Sequence, residues 1–87
     1  MNPLVVEWAG TTLLLSAISF IGTPLAIGGA LFVAVLLGGS ISGGHFNPAV
    51  TLWALLSGKI GSSKAVMYVV AQAVAAVTVV ALKKLTA

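Results

Sequence analysis

Apolar residues run almost without interruption along this chain, and the breaks between the runs mark its elements. From Leu4 to Ile21 only Glu7 and a few small residues interrupt the apolar sequence. At ~1.5 Å rise per residue, such a helix nearly crosses the ~30 Å hydrocarbon core of a bilayer. Gly22-Thr23-Pro24 reads as a short turn, with Pro24 suited to the first position of the next helix. Leu25 to Gly39 is a second apolar run, which Pro24 and Ser40-Ile41 extend to a full span. Lys59 to Ser63 is a polar break, and Lys64 to Leu82 is a third span closed by Lys83 and Lys84. The pattern predicts an all-α integral membrane protein with spans at about 4–22, 24–41 and 63–83.

The stretch between the second and third spans differs. Gly43-Gly44-His45-Phe46-Asn47-Pro48 cannot continue a helix, because Pro48 removes a donor and restricts Asn47. From Pro48 to Ser57 a helix restarts, about ten residues long and half a membrane thickness. Asn47 suits its N-cap, Pro48 its first turn and Gly58 its stop. If Lys59 and Lys64 mark one surface, this half-helix starts near the midplane and returns to that surface. Non-helical backbone at such depth survives only where protein or a water-filled cavity satisfies it. Ser40 to Phe46 would then be a re-entrant loop lining something wet, with loop and half-helix together at about 42–57. A loop outside the membrane followed by a surface helix fits the periodicity equally well, and periodicity leaves both open.

Composition narrows the class. Of 87 residues, 60% are hydrophobic, against four lysines and one glutamate; a soluble domain carries roughly a quarter charged residues. With no cysteine, a disulfide framework and thiolate metal ligation are excluded. The scattered lysines read as interfacial flanks rather than a nucleic-acid patch. His45, the sole histidine, invites a metal or acid–base role, but one histidine and one acid make a poor metal site. No nucleophile–base or paired-carboxylate set is present, so neither an enzyme nor a cofactor is expected. The first run lacks a basic leader and carries Glu7, so it is expected to be a span, with residues 1–87 forming one mature unit. Trp8, Trp53 and Tyr68 are expected to face lipid or the interface. Ala26, Ala30 and Ala34 recur every four residues and suit close helix packing.

Three motifs carry a family resemblance. Ser42-Gly43-Gly44-His45-Phe46-Asn47-Pro48-Ala49-Val50-Thr51 resembles the first Asn-Pro-Ala loop of the aquaporin, or major intrinsic protein, family. Glu7-Trp8-Ala9-Gly10-Thr11-Thr12 resembles the Glu-x-x-x-Thr-Thr pattern of that family's first helix, and Tyr68-Val69-Val70-Ala71-Gln72 the Ala-Gln signature of its third. An isolated tripeptide would carry no weight, but three motifs in family order over nearly the whole chain are specific. The resemblance favours the re-entrant loop and implies half of the aquaporin-like fold: three transmembrane helices plus one half-helix. Family members usually have six spans in two inverted halves, each with an Asn-Pro-Ala loop. The half in which arginine follows that motif has no counterpart here, and Val50 stands at the arginine's place.

By this resemblance the chain builds a channel for passive transport of water and small uncharged solutes such as glycerol. Asn47, Pro48 and Ala49 form the pore turn, with the Asn47 amide donating to a passing water. Carbonyls of Gly43, Gly44 and His45 supply acceptors along a single file, and His45 also packs the loop. Two opposed half-helix N-termini, each carrying about half a positive charge, repel cations at the pore centre. Glu7 and Gln72 hold the loop by hydrogen bonds. The residues by themselves leave open a solvated carboxylate for Glu7 and a lone interhelical hydrogen bond for Gln72. Ile27, Val35 (from a partner copy) and Val50 are constriction candidates beside the small Gly44, an apolar ring with no fixed charge.

One half-helix cannot enclose a pore, so the expected partner is a second, antiparallel copy, with four such dimers by analogy with family tetramers. Lys59 and Lys64 flank one face and Lys83 and Lys84 the other, which gives almost no orientation bias. The other expected partners are the bilayer, water and small neutral solutes, with no nucleic acid; the expected location is a cell or inner membrane. Two alternatives remain. A dual-topology, proton-coupled exporter would also be short, with a glutamate in its first span, but such transporters have four spans and no half-helix. A non-conducting partner of a full-length channel is the other.

Overall fold

The computed structural model describes residues 1–86. Helices α1 (Pro3–Phe20), α2 (Pro24–Ser42), α3 (Pro48–Leu56) and α4 (Ser62–Thr86) follow in chain order. Ala87, the last residue of the expected unit, lies outside the described residues. The first three helices start alike, with a capping side chain followed at once by proline. Asn2 Oδ1 accepts from Leu4 N at 2.7 Å, Thr23 Oγ1 from Ala26 N at 3.3 Å, and Asn47 Oδ1 from Ala49 N at 2.7 Å. Each cap satisfies a backbone donor that the helix start leaves without an intrahelical acceptor, and proline has no such donor to lose.

The helix ends follow from backbone sterics. Gly22 takes φ +80° and its N–H reaches Ala17 O at 2.8 Å, which closes α1 at Phe20, short of the expected 22. α2 keeps the expected span through Ile41 and adds Ser42, expected in the loop, because the first left-handed residue is Gly43 at φ +94°. At the other end α4 runs on to Thr86, whose hydroxyl donates to Leu82 O at 2.9 Å.

Helices α1, α2 and α4 have 18, 19 and 25 residues and are long and apolar enough to cross a membrane. α1 lies between the other two, packed against α2 on one side and α4 on the other, while α3 packs on α4. Small residues allow the approach: Gly10, Ala17, Ala34, Gly38, Ala65 and Ala75 are all buried. The large apolar side chains of α2, including Phe32, Leu36 and Leu37, point outward instead. Inside sit polar groups, namely Glu7, Thr11, Ser42, Thr51 and Gln72, beside Tyr68 and Phe46. This distribution suits lipid, where apolar surface gains nothing from burial and polar side chains need partners.

The depth of α3 can be measured against α4. Thr51 bonds to Gln72, ten residues beyond Ser62, so it sits about 15 Å along α4 at ~1.5 Å per residue. Asn47 lies one turn deeper still. The start of α3 therefore lies near the middle of α4, whose 25 residues run about 37 Å, and its end returns to the Lys59–Ser62 side. At the far end Lys83 Nζ donates to Ser19 O at 3.1 Å and lies 4.7 Å from the Phe20 ring centroid, tying α4 to α1.

Replacing Gly22 by alanine should lower stability by about 1 kcal/mol, because the added Cβ, in ordinary contact with Ile18 O at 3.6 Å, is held at positive φ. Gly28→Ala, inside α2 with nothing near its Cβ position, should leave stability unchanged or slightly raised. Thermal unfolding of both variants in one detergent makes the comparison.

Candidate functional site

The re-entrant segment 43–47 hangs from one side chain of α1. Glu7 is fully buried, and four donors converge on its two oxygens. Oε2 accepts from Ser42 Oγ at 2.8 Å and from His45 N at 3.0 Å. Oε1 accepts from Phe46 N at 2.8 Å and from Gln72 Nε2 at 3.0 Å. Every contact is a donor, so both oxygens act as acceptors throughout, as those of a carboxylate must. Two of these donors are main-chain groups released by the break between α2 and α3; unpaired in lipid, each would cost several kcal/mol. Gly44 N finds Ser42 Oγ at 3.1 Å, so three successive loop amides are paired.

A second layer locks the first. Gln72 Nε2 also donates to Thr51 Oγ1 at 3.0 Å, linking α4 to the first turn of the half-helix. This fixes the amide's orientation and leaves Gln72 Oε1 buried without a partner among the described residues. Thr51 Oγ1 meets His45 Nδ1 at 2.9 Å. The hydroxyl accepts from Gln72 and keeps both its hydrogen and a second lone pair for Nδ1, so the contact fits either neutral tautomer of His45. Tyr68 OH donates to Ser42 O at 2.6 Å, and its ring meets the His45 ring edge-on at 5.0 Å.

Tyr68 corrects the expectation of a lipid-facing aromatic. It has no exposed surface, because its hydroxyl is the donor that satisfies a carbonyl at the end of α2. Trp8 is partly exposed and donates to Thr78 Oγ1 at 3.1 Å, and Trp53 is exposed with Lys59 Nζ 5.6 Å from its ring. Of the expected packing alanines, Ala34 is buried against Val6 and Phe46, while Ala26 and Ala30 are half-buried.

The structure gathers Glu7, Gln72 and His45 into one network and carries Asn47, Pro48, Ala49 and Val50 to an exposed mid-depth edge. Asn47 Oδ1 is occupied by Ala49 N, so the side chain turns only its amide hydrogens outward. Gly43 is exposed and Gly44 half-buried beside it. Val35, expected from a partner copy, instead borders Gly44 of its own chain: a Cβ built on Gly44 would lie 3.5 Å from Val35 Cγ2. Ile27 does not join them, since it lies fifteen residues before Ser42 on α2, about 22 Å away along the axis. Sequence reasoning gave no separate role to Ser42, Thr51 and Phe46 and set Tyr68 on the wrong face. A signal existed for Tyr68, which is four residues before Gln72 and so on the same helix face. Thr51 stands likewise four residues after Asn47.

Three membrane-crossing helices and a half-helix held at mid-depth by a buried carboxylate define an integral membrane protein with half of the aquaporin fold. The family model for major intrinsic proteins matches residues 4–87, and the chain belongs to that family. It is 45% identical over 69 residues to a probable aquaporin PIP2-5 of Arabidopsis thaliana, which covers 79% of this chain and 24% of that protein. Over 65 residues it is 48% identical to aquaporin TIP1-2 of Musa acuminata and 51% identical to a probable aquaporin TIP1-2 of Oryza sativa subsp. japonica; each match covers 75% of this chain and 26% of the relative. The chain thus spans about a quarter of the length of the curated relatives it matches. No solved structure matches it significantly.

Glu7→Gln should lower stability by about 2–4 kcal/mol, because the amide nitrogen that replaces one oxygen confronts two buried donors. Gln72→Leu, which removes a donor and leaves the loop amides paired, should cost about 1–2 kcal/mol. Denaturation in mixed micelles ranks the two, and equal losses would contradict the central place given to Glu7.

Proposed function

We propose that this chain forms a passive channel for water by pairing, antiparallel, with a second copy of itself. The observation that carries the reading is the start of α3: an Asn-capped helix N-terminus, exposed at mid-depth and held there by Glu7. An antiparallel pair related by a two-fold axis in the membrane plane would bring two such turns face to face. Their amide hydrogens would donate to a water in single file, and the two positive helix ends would repel hydronium and other cations. Carbonyls of Gly43, Gly44 and His45 would accept from that file. Ile27 of one copy would face Val50, Gly44 and Val35 of the constriction region only across this pair. Val50 puts no cation there, so small neutral solutes such as glycerol also pass. In this reading Glu7 and Gln72 carry no proton and touch no permeant, which separates a channel from a proton-coupled exporter.

Liposomes holding only this protein should shrink faster than empty ones under an osmotic step, with no dependence on a proton gradient. Asn47→Ala should lower that rate several-fold while protein yield is tracked separately. Folded protein with empty-liposome kinetics would overturn the channel reading.

Glycerol and urea uptake, measured beside water, should be clearly above background; water-only transport would mean that the paired ring is narrower than Val50 implies. Orientation is tested with Thr86→Cys in the cysteine-free background. An impermeant thiol reagent should label about half the molecules from each side, as the balanced lysines require. Labelling from one side alone would mean that another polypeptide segment supplies the inverted half.

A further inference from the structure

Phe46 is the one large apolar side chain in the segment 43–47, and it points away from the exposed edge. Its ring is 2% exposed and packs with Val6 of α1 and Ala34 of α2. The main chain there has φ +53°, a left-handed conformation that a bulky residue seldom takes. What accepts the ring is the bare backbone of α1. A Cβ built on Gly10 would lie 2.1 Å from Phe46 Cε1, 2.5 Å from Cδ1 and 2.6 Å from Cζ. Across the cleft, a Cβ on Gly38 would lie 2.6 Å from Val6 Cγ1 and 3.5 Å from Phe46 Cζ. Gly10 therefore meets the ring directly, whereas Gly38 mainly makes room for its neighbour.

We propose that Gly10 is a seat for the Phe46 ring, and that this contact sets the depth at which the Asn-Pro-Ala turn stands in the membrane. Phe46 is held at two points of one helix. Its N–H reaches Glu7, and its ring lies on Gly10, one turn further along α1. Asn47, the next residue, caps α3 and presents its amide outward. A hydrogen bond alone lets the peptide pivot about the carboxylate; the ring against Gly10 removes that freedom. Gly10 and Phe46 are thus positioning residues, and the consequence for permeation rests on the channel reading above.

The test is a double-mutant cycle with two readouts. One is osmotic water flux in liposomes. The other is the rate at which a small water-soluble thiol reagent modifies Ala49→Cys, which reports the turn's position whether or not water flows. Gly10→Ala should slow flux about tenfold or more and change the modification rate by a similar factor, because the methyl displaces the ring. In a Phe46→Ala background the same Gly10→Ala change should alter either readout by less than about twofold. If Gly10→Ala does not fold alone but folds with Phe46→Ala, that rescue supports the seat equally. Equal effects of Gly10→Ala in both backgrounds, or failure to fold in both, would overturn it. Absence of flux in the parent protein would overturn the channel reading and leave the thiol-reactivity cycle to decide the seat.

Discussion

Within a bilayer, a backbone N–H that leaves its helix has no water to turn to, and the Glu7 carboxylate supplies what water would. Its four donors come from three different parts of the chain: the end of α2, the re-entrant loop and the middle of α4. A single side chain of α1 thereby joins every element that must meet for the half-helix to exist at depth. A charged group buried this way is tolerable because all its acceptor capacity is used. Removing the acceptor would orphan His45 N and Phe46 N together, which is why the loop's geometry and the carboxylate are inseparable.

The rest of the packing is arranged around that knot. Tyr68 satisfies the carbonyl of Ser42 just before the chain turns at Gly43, and Thr51 joins α3 to both Gln72 and His45. Large apolar residues face outward and small ones inward, so the helices approach closely enough for short polar side chains to reach across. α1 packs along both other spans while α4 reaches α2 through Tyr68, and the edge carrying Asn47 to Val50 stays exposed.

Asn47 serves two purposes with one amide. Its oxygen caps α3, and that engagement turns the nitrogen outward as a donor-only group. The same bond that starts the helix therefore sets the polarity of what the turn offers. The helix dipole adds to it, since nine residues of α3 end with their positive pole at the same point.

Much of this was legible in the sequence. The three apolar runs, the prolines after Asn2, Thr23 and Asn47, and the glycines that follow the runs are local signals, because helix starts and stops depend on neighbouring dihedrals and donors. The half-helix was also readable, from Pro48 and the distance to Gly58. Its placement within the membrane was not decided by periodicity, which fits a surface helix as well. Tyr68 shows the same limit: an aromatic near a helix end reads as interfacial, and only the arrival of Ser42 O beside it makes it buried. The ring of Phe46 on Gly10 is likewise invisible to local rules, since the residues stand 36 positions apart and nothing in either neighbourhood requires the other. The sequence by itself determined which segments are helical and apolar, because those properties are local. Tertiary structure alone decided which donors share the one carboxylate and how deep the turn sits, because both depend on where distant segments meet.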